Sequence, residues 1–158
     1  LTEIYSFFGV KTTFQNNEII LEKMKQPLAD FYECDLQNAP DIAQTVMVTC
    51  FGLGVACKLT GLHTLKIKET DRLEAMKTEL KKLGATVTAT ESALQLEKRT
   101  GAMRSEIAIN TYNDHRMAMA FTPLMLKTSL VICDCEVVSK SYPNFWSDVF
   151  EVTKSKSS

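Results

Sequence analysis

Two long stretches without any charged residue constrain the fold more than any other feature of this chain. Residues 42–57 form an uncharged run of 16, and residues 117–126 contain no Asp, Glu, Lys or Arg either. A helix that is apolar on every side has to be buried. Residues 86–90, by contrast, alternate threonine with apolar residues, as a strand does when it covers a core with one face. The combination predicts helices at the centre and sheets outside, the reverse of a doubly wound sheet.

The order of the predicted elements indicates an α+β fold built from repeated β-α-β-α-β-β units. Residues 1–26 contain a hairpin over 11–21, with its turn at Asn16 and Asn17, that we expect to close a preceding unit. Residues 31–98 form one complete unit, and residues 106–152 form a second that lacks its closing hairpin. Residues 153–158 are expected to be a disordered tail.

The repeat also sets the element boundaries. In the complete unit we predict a strand over 31–36, a helix capped by Asp41 that ends near Gly61, a strand over 62–67, a helix over 69–83 closed by Gly84, and a hairpin over 86–97. In the second unit we predict a strand over 106–110, a helix from Asp114 to about 127, a strand over 130–135 and a helix over 142–152. The spacing from Asp41 to Lys68 is 27 residues and that from Asp114 to Lys140 is 26.

Length and composition limit the class of protein. A chain of 158 residues with 45% hydrophobic residues can bury a real core, which excludes disorder. The net charge of −1 argues against binding nucleic acid through bulk positive charge. The longest uncharged run is too short for a membrane span, and no targeting signal is recognisable. We therefore expect a soluble, cytoplasmic protein, and the non-methionine start in a strand-like segment suggests an incomplete one.

The five cysteines predict neither disulfides nor a metal site. Their odd number and irregular spacing favour reduced, buried thiols. Cys133 and Cys135 are expected on one face of a strand, and the only histidines are His63 and His115. We expect no metal and no cofactor.

Four groups of ionisable residues fall at predicted helix starts: Asp41, residues 68–72, residues 113–116 and Lys140. Each group alone has an ordinary explanation, as a helix cap or a solvated first turn. Cations at helix starts nevertheless oppose the helix dipole, and here they recur at equivalent points of the repeat. The joint pattern favours an anionic ligand, with Asp41 and Glu69 able to move protons beside it.

The sequence of two of these groups resembles the enolpyruvyl transferase family. The segments are Lys68-Glu-Thr-Asp-Arg-Leu73 and Tyr112-Asn-Asp-His-Arg-Met-Ala-Met119, with Pro40-Asp41 and Lys140-Ser-Tyr-Pro143 in the expected order. The resemblance covers residues 5–152, roughly the C-terminal third of a family member. It implies two similar domains, each an inside-out α/β barrel of three units with helix N-termini at the interdomain cleft. The missing N-terminal portion of the same enzyme would then be a partner of this chain.

The resemblance also implies a reaction, the transfer of an enolpyruvyl group from phosphoenolpyruvate to the 5-hydroxyl of shikimate-3-phosphate with release of phosphate. Asp41 would contact that hydroxyl as a candidate base, and Lys68 would assist the proton transfer beside it. Glu69 would protonate the methylene carbon of the enolpyruvyl group and later remove a proton as phosphate leaves. These three are the expected catalytic residues.

The resemblance assigns the cations to the anionic groups of phosphoenolpyruvate. Arg72, Arg116 and Lys140 would hold its carboxylate and phosphate, and His115 would be a secondary polar contact. Thr64 departs from the asparagine that some members carry for a shikimate-3-phosphate contact, so one contact with that substrate stays open.

Two other interpretations stay open at this stage. One is a sibling transferase that acts on a UDP-amino sugar, and the other is a non-catalytic domain for anion binding or assembly. We expect the isolated chain to have no detectable enolpyruvyl transferase activity, because half of a two-domain cleft neither excludes water nor holds both substrates. We also expect it to self-associate or to be partly disordered after about Lys127, because the second unit leaves an unpaired strand edge and uncovered apolar surface.

Overall fold

The computed structural model describes residues 1–67 and 71–154. The helices in these ranges are α1 (Thr2–Phe7), α2 (Ala43–Leu53), α3 (Arg72–Lys82), α4 (His115–Phe121) and α5 (Phe145–Lys154). The strands are β1 (Val10–Gln15), β2 (Glu18–Lys23), β3 (Phe31–Asp35), β4 (Ala56–Thr60), β5 (Val87–Ala89), β6 (Leu94–Leu96), β7 (Ile107–Ile109) and β8 (Leu130–Ile132). Short 3₁₀ helices lie at Pro40–Ile42, His63–Ile67, Thr122–Leu126 and Cys135–Val138.

The predicted N-terminal hairpin is confirmed. Strands β1 and β2 pair antiparallel, from Val10 opposite Lys23 to Gln15 opposite Glu18. Asn16 and Asn17 form the two-residue turn with φ of 50° and 60°, the left-handed backbone that such a turn requires and that asparagine tolerates well. The expectation that the chain begins in a strand-like segment is wrong, because residues 2–7 form helix α1.

The predicted β-α-β-α-β-β order of residues 31–98 is present. The sheet has the order β3-β4-β6-β5, in which β3 and β4 are parallel and the other neighbours are antiparallel. Helix α2 connects β3 to β4, and α3 connects β4 to the β5–β6 hairpin. In the second half, β7 and β8 pair parallel on either side of α4, and within the described residues this sheet has two strands.

Two element boundaries in the first unit were predicted wrongly. Helix α2 ends at Leu53 and not near Gly61, since Gly54 takes a left-handed conformation with φ of 75° that terminates the helix. The chain then enters β4, so the uncharged run 42–57 spans a helix end and part of a strand. Residues 62–67 form mainly a 3₁₀ helix, where a strand was expected.

Three boundaries in the second unit also differ. Helix α4 ends at Phe121 and not near 127, and the 3₁₀ helix Thr122–Leu126 follows it. Strand β8 ends at Ile132, and Asp134 takes a left-handed φ of 46°, so Cys133 and Cys135 do not share a strand face; all five cysteines are free thiols. Helix α5 begins at Phe145 and not at 142. The backbone N–H groups of Ser141 and Tyr142 instead donate to the Val138 carbonyl, which forms a turn before the helix. Residues 153 and 154, expected in the tail, belong to α5, and residues 155–158 lie outside the described residues.

The core forms around α2, as its uncharged sequence predicts. Ala43, Val46, Met47, Cys50 and Phe51 are buried on several sides of this helix, which packs against α3, α4 and β4. The sheet adds alternate residues from β4 and β6, which are Cys57, Leu59, Leu94 and Leu96.

The sheets formed by the described residues are open and do not close into a barrel. None of the helices in this part of the chain combines the length and apolar character needed to cross a lipid bilayer.

Candidate active site

Three helix starts meet on one side of the core, and short-range hydrogen bonds fix two of them. Asp71 caps α3 by accepting hydrogen bonds from the backbone N–H groups of Leu73 and Glu74. Asp114 caps α4 by accepting one from the N–H of Arg116 at 2.9 Å. Both are ordinary aspartate N-caps, and the one at Asp114 was predicted.

The expected N-cap role of Asp41 is wrong. Asp41 lies in the 3₁₀ helix Pro40–Ile42, and the N-cap residue of α2 is Ile42, which makes no side-chain capping bond. The carboxylate of Asp41 is thereby directed at neighbouring helix starts. It accepts hydrogen bonds from Arg72 Nη1 at 2.9 Å and from Arg116 Nη2 at 3.2 Å.

Arg72 joins the three helix starts. Its Nε donates to Asp114 Oδ2 at 2.6 Å while its Nη1 donates to Asp41 Oδ1, and its side chain is 1% exposed. A cation in the first turn of α3 opposes the helix dipole, and burial raises the cost of its charge. Hydrogen bonds to two carboxylates offset both penalties, because such charge-assisted bonds are strong where water is excluded.

Sequence reasoning missed two members of this cluster. Asp114 was expected only as a cap, but its second oxygen accepts from Arg72 and also from Gln44 Nε2 at 3.3 Å. Gln44 is buried in the first turn of α2, and its Oε1 has no hydrogen-bond partner among the described residues. The available signal was an amide side chain inside an otherwise apolar helix, since such a group needs a buried polar partner.

A second buried carboxylate positions the segment ahead of α4. Glu79 of α3 is fully buried. It accepts hydrogen bonds from the Tyr112 hydroxyl at 2.7 Å, the backbone N–H of Asn110 at 3.1 Å and Lys82 Nζ at 2.7 Å. Burial, followed by the bond to Glu79, raises the pKa of Tyr112 to about 12. Tyr112 and Asn113 both have left-handed backbone, and this anchor holds the turn that presents Asp114.

The solvent-facing part of the cluster consists of Asp41 and Arg116, whose side chains are 40% and 35% exposed. An accessible guanidinium can bind a carboxylate or phosphate in a fork, and an accessible carboxylate can accept a proton. Arg72 and Asp114 lie behind them and are buried. The arrangement therefore combines a solvent-accessible cation and carboxylate with a buried, ion-paired base, a combination that suits anion binding and proton transfer.

Comparison with known proteins decides the family. Residues 1–149 match the family model of EPSP synthase (3-phosphoshikimate 1-carboxyvinyltransferase). The chain belongs to the EPSP synthase family. This confirms the resemblance to the enolpyruvyl transferases seen in the two signature segments, and it does not favour the UDP-amino-sugar alternative.

Similar sequences and structures carry the same name. A 3-phosphoshikimate 1-carboxyvinyltransferase of Bacteroides fragilis is 42% identical over 149 residues, covering 93% of this chain and 36% of the relative. One from Mannheimia succiniciproducens is 33% identical over 147 residues, covering 92% and 33%. The solved EPSP synthase of Acinetobacter baumannii aligns with a TM-score of 0.69 and 25% identity over 93% of this chain and 37% of that one. The chain thus spans about a third of the length of these EPSP synthases.

The remaining predicted residues do not all join the cluster. Lys68 and Glu69 lie outside the described residues. His115 follows the Asp114 cap, with its Nδ1 3.9 Å from Asp114 Oδ1. Lys140 is exposed in the turn before α5, and in the described part of the chain no hydrogen bond joins it to Asp41, Arg72 or Arg116.

Proposed function

We propose that this chain is the C-terminal portion of an EPSP synthase, which transfers the enolpyruvyl group of phosphoenolpyruvate to the 5-hydroxyl of shikimate-3-phosphate and releases phosphate. The observation that carries the proposal is the family match over residues 1–149. The convergence of Asp41, Arg72 and Arg116 at three helix starts supports it, because the substrates are anions that need cations and a nearby proton acceptor.

The proposed proton-transfer groups are Asp41, Lys68 and Glu69. Asp41 meets the attacking hydroxyl, and its solvent-accessible carboxylate supports this role. Lys68 assists at the same oxygen. Glu69 gives a proton to the methylene carbon as the new C–O bond forms, and it takes a proton from the resulting methyl group as the C–O bond to phosphate breaks. One carboxyl group thereby serves as acid and then as base.

The proposed anion-binding groups are Arg72, Arg116, Lys140 and His115. Arg116 is the arginine of the cluster whose guanidinium is open to solvent, which suits direct contact with phosphoenolpyruvate. Arg72 is buried and its Nε and Nη1 already donate to Asp114 and Asp41, so it also positions the carboxylate of Asp41 beside the proposed anion site. Lys140 and His115 would add charge and a polar contact at the edge.

The proposal also includes the domain structure of the whole enzyme. With the missing portion present, the buried helices and outer sheets would complete an inside-out α/β barrel domain, and the cluster would face a cleft between two domains. The buried α2 and the open sheets of the described residues support this arrangement. We also propose a cytoplasmic location, as expected from the sequence.

The decisive experiment joins this chain to the portion of the Bacteroides fragilis relative that it does not cover. Phosphate release is measured with phosphoenolpyruvate and shikimate-3-phosphate, for the chain alone and for the fusion. We expect no detectable turnover by the chain alone, because half of a cleft neither excludes water nor orients two substrates. The fusion should turn over at a rate comparable to that of the intact relative.

A parallel assay replaces shikimate-3-phosphate by a UDP-amino sugar. Turnover with that acceptor alone would support the sibling transferase. Phosphoenolpyruvate binding by a well-folded fusion that turns over neither acceptor would support the non-catalytic interpretation. Full activity of the chain by itself would contradict the proposal that it is an incomplete enzyme.

Arg116→Ala in the active fusion tests the anion-binding role. We expect the KM for phosphoenolpyruvate to rise by about 10- to 150-fold with a smaller change in kcat, because hydrogen bonds to charged groups contribute about 1.5–3 kcal/mol. Lys140→Ala should act in the same direction. The matched control is Lys77→Ala, which removes a partly exposed cation that is paired with Glu74 on α3. An unchanged KM in the Arg116 variant would remove this residue from the substrate contacts.

A further inference from the structure

The N-terminal hairpin has an exposed apolar face. Phe14, Ile19 and Leu21 are 68%, 63% and 67% exposed, and the pairing of β1 with β2 brings them together on one side of the hairpin. Helix α1 packs beside β1 but leaves these three side chains open to water. The opposite face is mainly polar, with Ile20 as its apolar member. A face of this kind on a two-stranded sheet needs a cover.

The second unit has the opposite deficiency, a strand edge and an apolar groove without a cover. Strand β8 pairs only with β7 among the described residues, and Val131 on its outer face is 59% exposed. Beside it, the 3₁₀ helix Thr122–Leu126 and α5 flank an open, largely apolar groove of about 250 Å³ that β8 itself helps to line, with Met125, Leu130, Ile132 and Trp146 among its side chains. An unpaired strand edge next to such a groove invites strand addition.

The complete unit shows how this fold closes such an edge. There β6 pairs antiparallel with β4, placing Leu96 opposite Cys57, Gln95 opposite Lys58 and Leu94 opposite Leu59. The outer pair is polar and the two inner pairs are buried. Strand β5 then packs over α3, so that one hairpin covers both the sheet edge and the helix.

Strand β8 corresponds to β4 of the complete unit, and β2 can take the place of β6. β8 pairs parallel with the strand before it, as β4 does, and it faces Leu130 and Ile132 inward and Val131 outward. Its sequence also continues into a 3₁₀ helix and then α5, as β4 continues into a 3₁₀ helix and then α3.

Aligning β2 with β6 in the same register opposes three apolar pairs, which are Leu21 with Leu130, Ile20 with Val131 and Ile19 with Ile132. The exposed Ile20, an exception on the polar face of the hairpin, meets the exposed Val131.

We propose that two copies of this chain associate by antiparallel pairing of β2 of each copy with β8 of the other. Each chain carries one hairpin that needs a sheet and one sheet that needs a hairpin. A reciprocal two-fold pair satisfies both at once and leaves no open end. The inference concerns the chain by itself, because in the enzyme proposed above the remaining portion would complete the same sheets.

Sedimentation equilibrium of the full chain from about 1 to 200 µM tests the proposal. The expected result is a concentration-dependent shift from 17.7 kDa to twice that mass. Ile20→Lys and Val131→Glu should each weaken dimerisation by at least about 10-fold, since each places a charge against an apolar partner at the new strand pair. An equimolar mixture of the two variants should regain dimer, because the lysine of one opposes the glutamate of the other while the second interface keeps its native residues.

The matched control is Thr13→Lys, which adds the same charge to the same hairpin face on β1, directly across the hairpin from Ile20. It should dimerise like the unchanged chain. A monomer at all concentrations would overturn the proposal and point to the remaining portion of the relatives as the occupant of both surfaces. A dimer that ignores both variants, a mixture that does not recover, or an equal loss in the Thr13 control would overturn the strand register.

Discussion

Replacing Arg72 by methionine is expected to lower the free energy of unfolding by about 3–5 kcal/mol, the range found when one partner of a buried ion pair is removed. Methionine retains much of the volume of the arginine stem but leaves Asp114, whose side chain is fully buried, without its guanidinium. Asp41 loses one of its two guanidinium contacts but is 40% exposed, so water can solvate it. The penalty therefore arises mainly at Asp114.

Urea unfolding followed by circular dichroism measures this effect, with an expected drop in midpoint of about 2 M for a slope of about 2 kcal/mol/M. The matched control is Arg116→Met, whose guanidinium lies at the solvent-exposed edge, and it should change stability by about 1 kcal/mol or less. The double variant Arg72→Met with Asp114→Asn should recover part of the loss, because asparagine still caps α4 without leaving a buried charge. An Arg72 variant as stable as the unchanged chain would show that the buried pair contributes little.

Glu69→Gln in the active fusion is expected to lower kcat by about 10²–10⁴-fold, the usual contribution of a positioned acid or base. Glutamine retains the size and hydrogen-bonding capacity of glutamate but does not exchange a proton at the methylene carbon. The KM for phosphoenolpyruvate should change by no more than a few-fold. Steady-state phosphate release, with both substrates varied, separates the two parameters.

Glu74→Gln is the matched control, the same substitution at an exposed position in the first turn of α3. It should leave turnover unchanged. If the Glu69 variant kept its turnover, Glu69 would serve only as a first-turn carboxylate favoured by the helix dipole, and the acid and base roles would belong to another residue.

Local chemistry explains the parts of the fold that were predicted correctly. Asn16-Asn17 specify the hairpin turn, Gly84 follows the end of α3 with a positive φ, and the uncharged α2 is buried. One boundary failed because a single signal covered two elements. The uncharged run 42–57 concealed the end of α2 at Gly54, because burial on several sides makes a helix and an inner strand equally apolar.

The candidate site, too, was predicted from the sequence only in part. The placement of Asp41, Arg72, Asp114 and Arg116 at or beside helix starts follows from the sequence, and so do the family signatures, whereas Lys140 lies in a turn before α5. The partners within the cluster do not, since Arg72 reaches Asp41 and Asp114 across 31 and 42 residues. Asp41 was misread as a cap because capping is the common local role of aspartate before a helix, and a distant arginine competes for the same oxygens.

The sequence by itself determined the N-terminal hairpin, the order of elements in residues 31–98, the burial of α2, and the family to which the chain belongs. These depend on turn residues, periodicity and short motifs, all of which act within a few residues. Only the tertiary structure decided that Arg72 is enclosed by two carboxylates, that Gln44 joins them, and that Arg116 and Asp41 form the accessible edge. The physical reason is that burial and charge pairing depend on which helix starts the packed core brings together, and no local pattern records that.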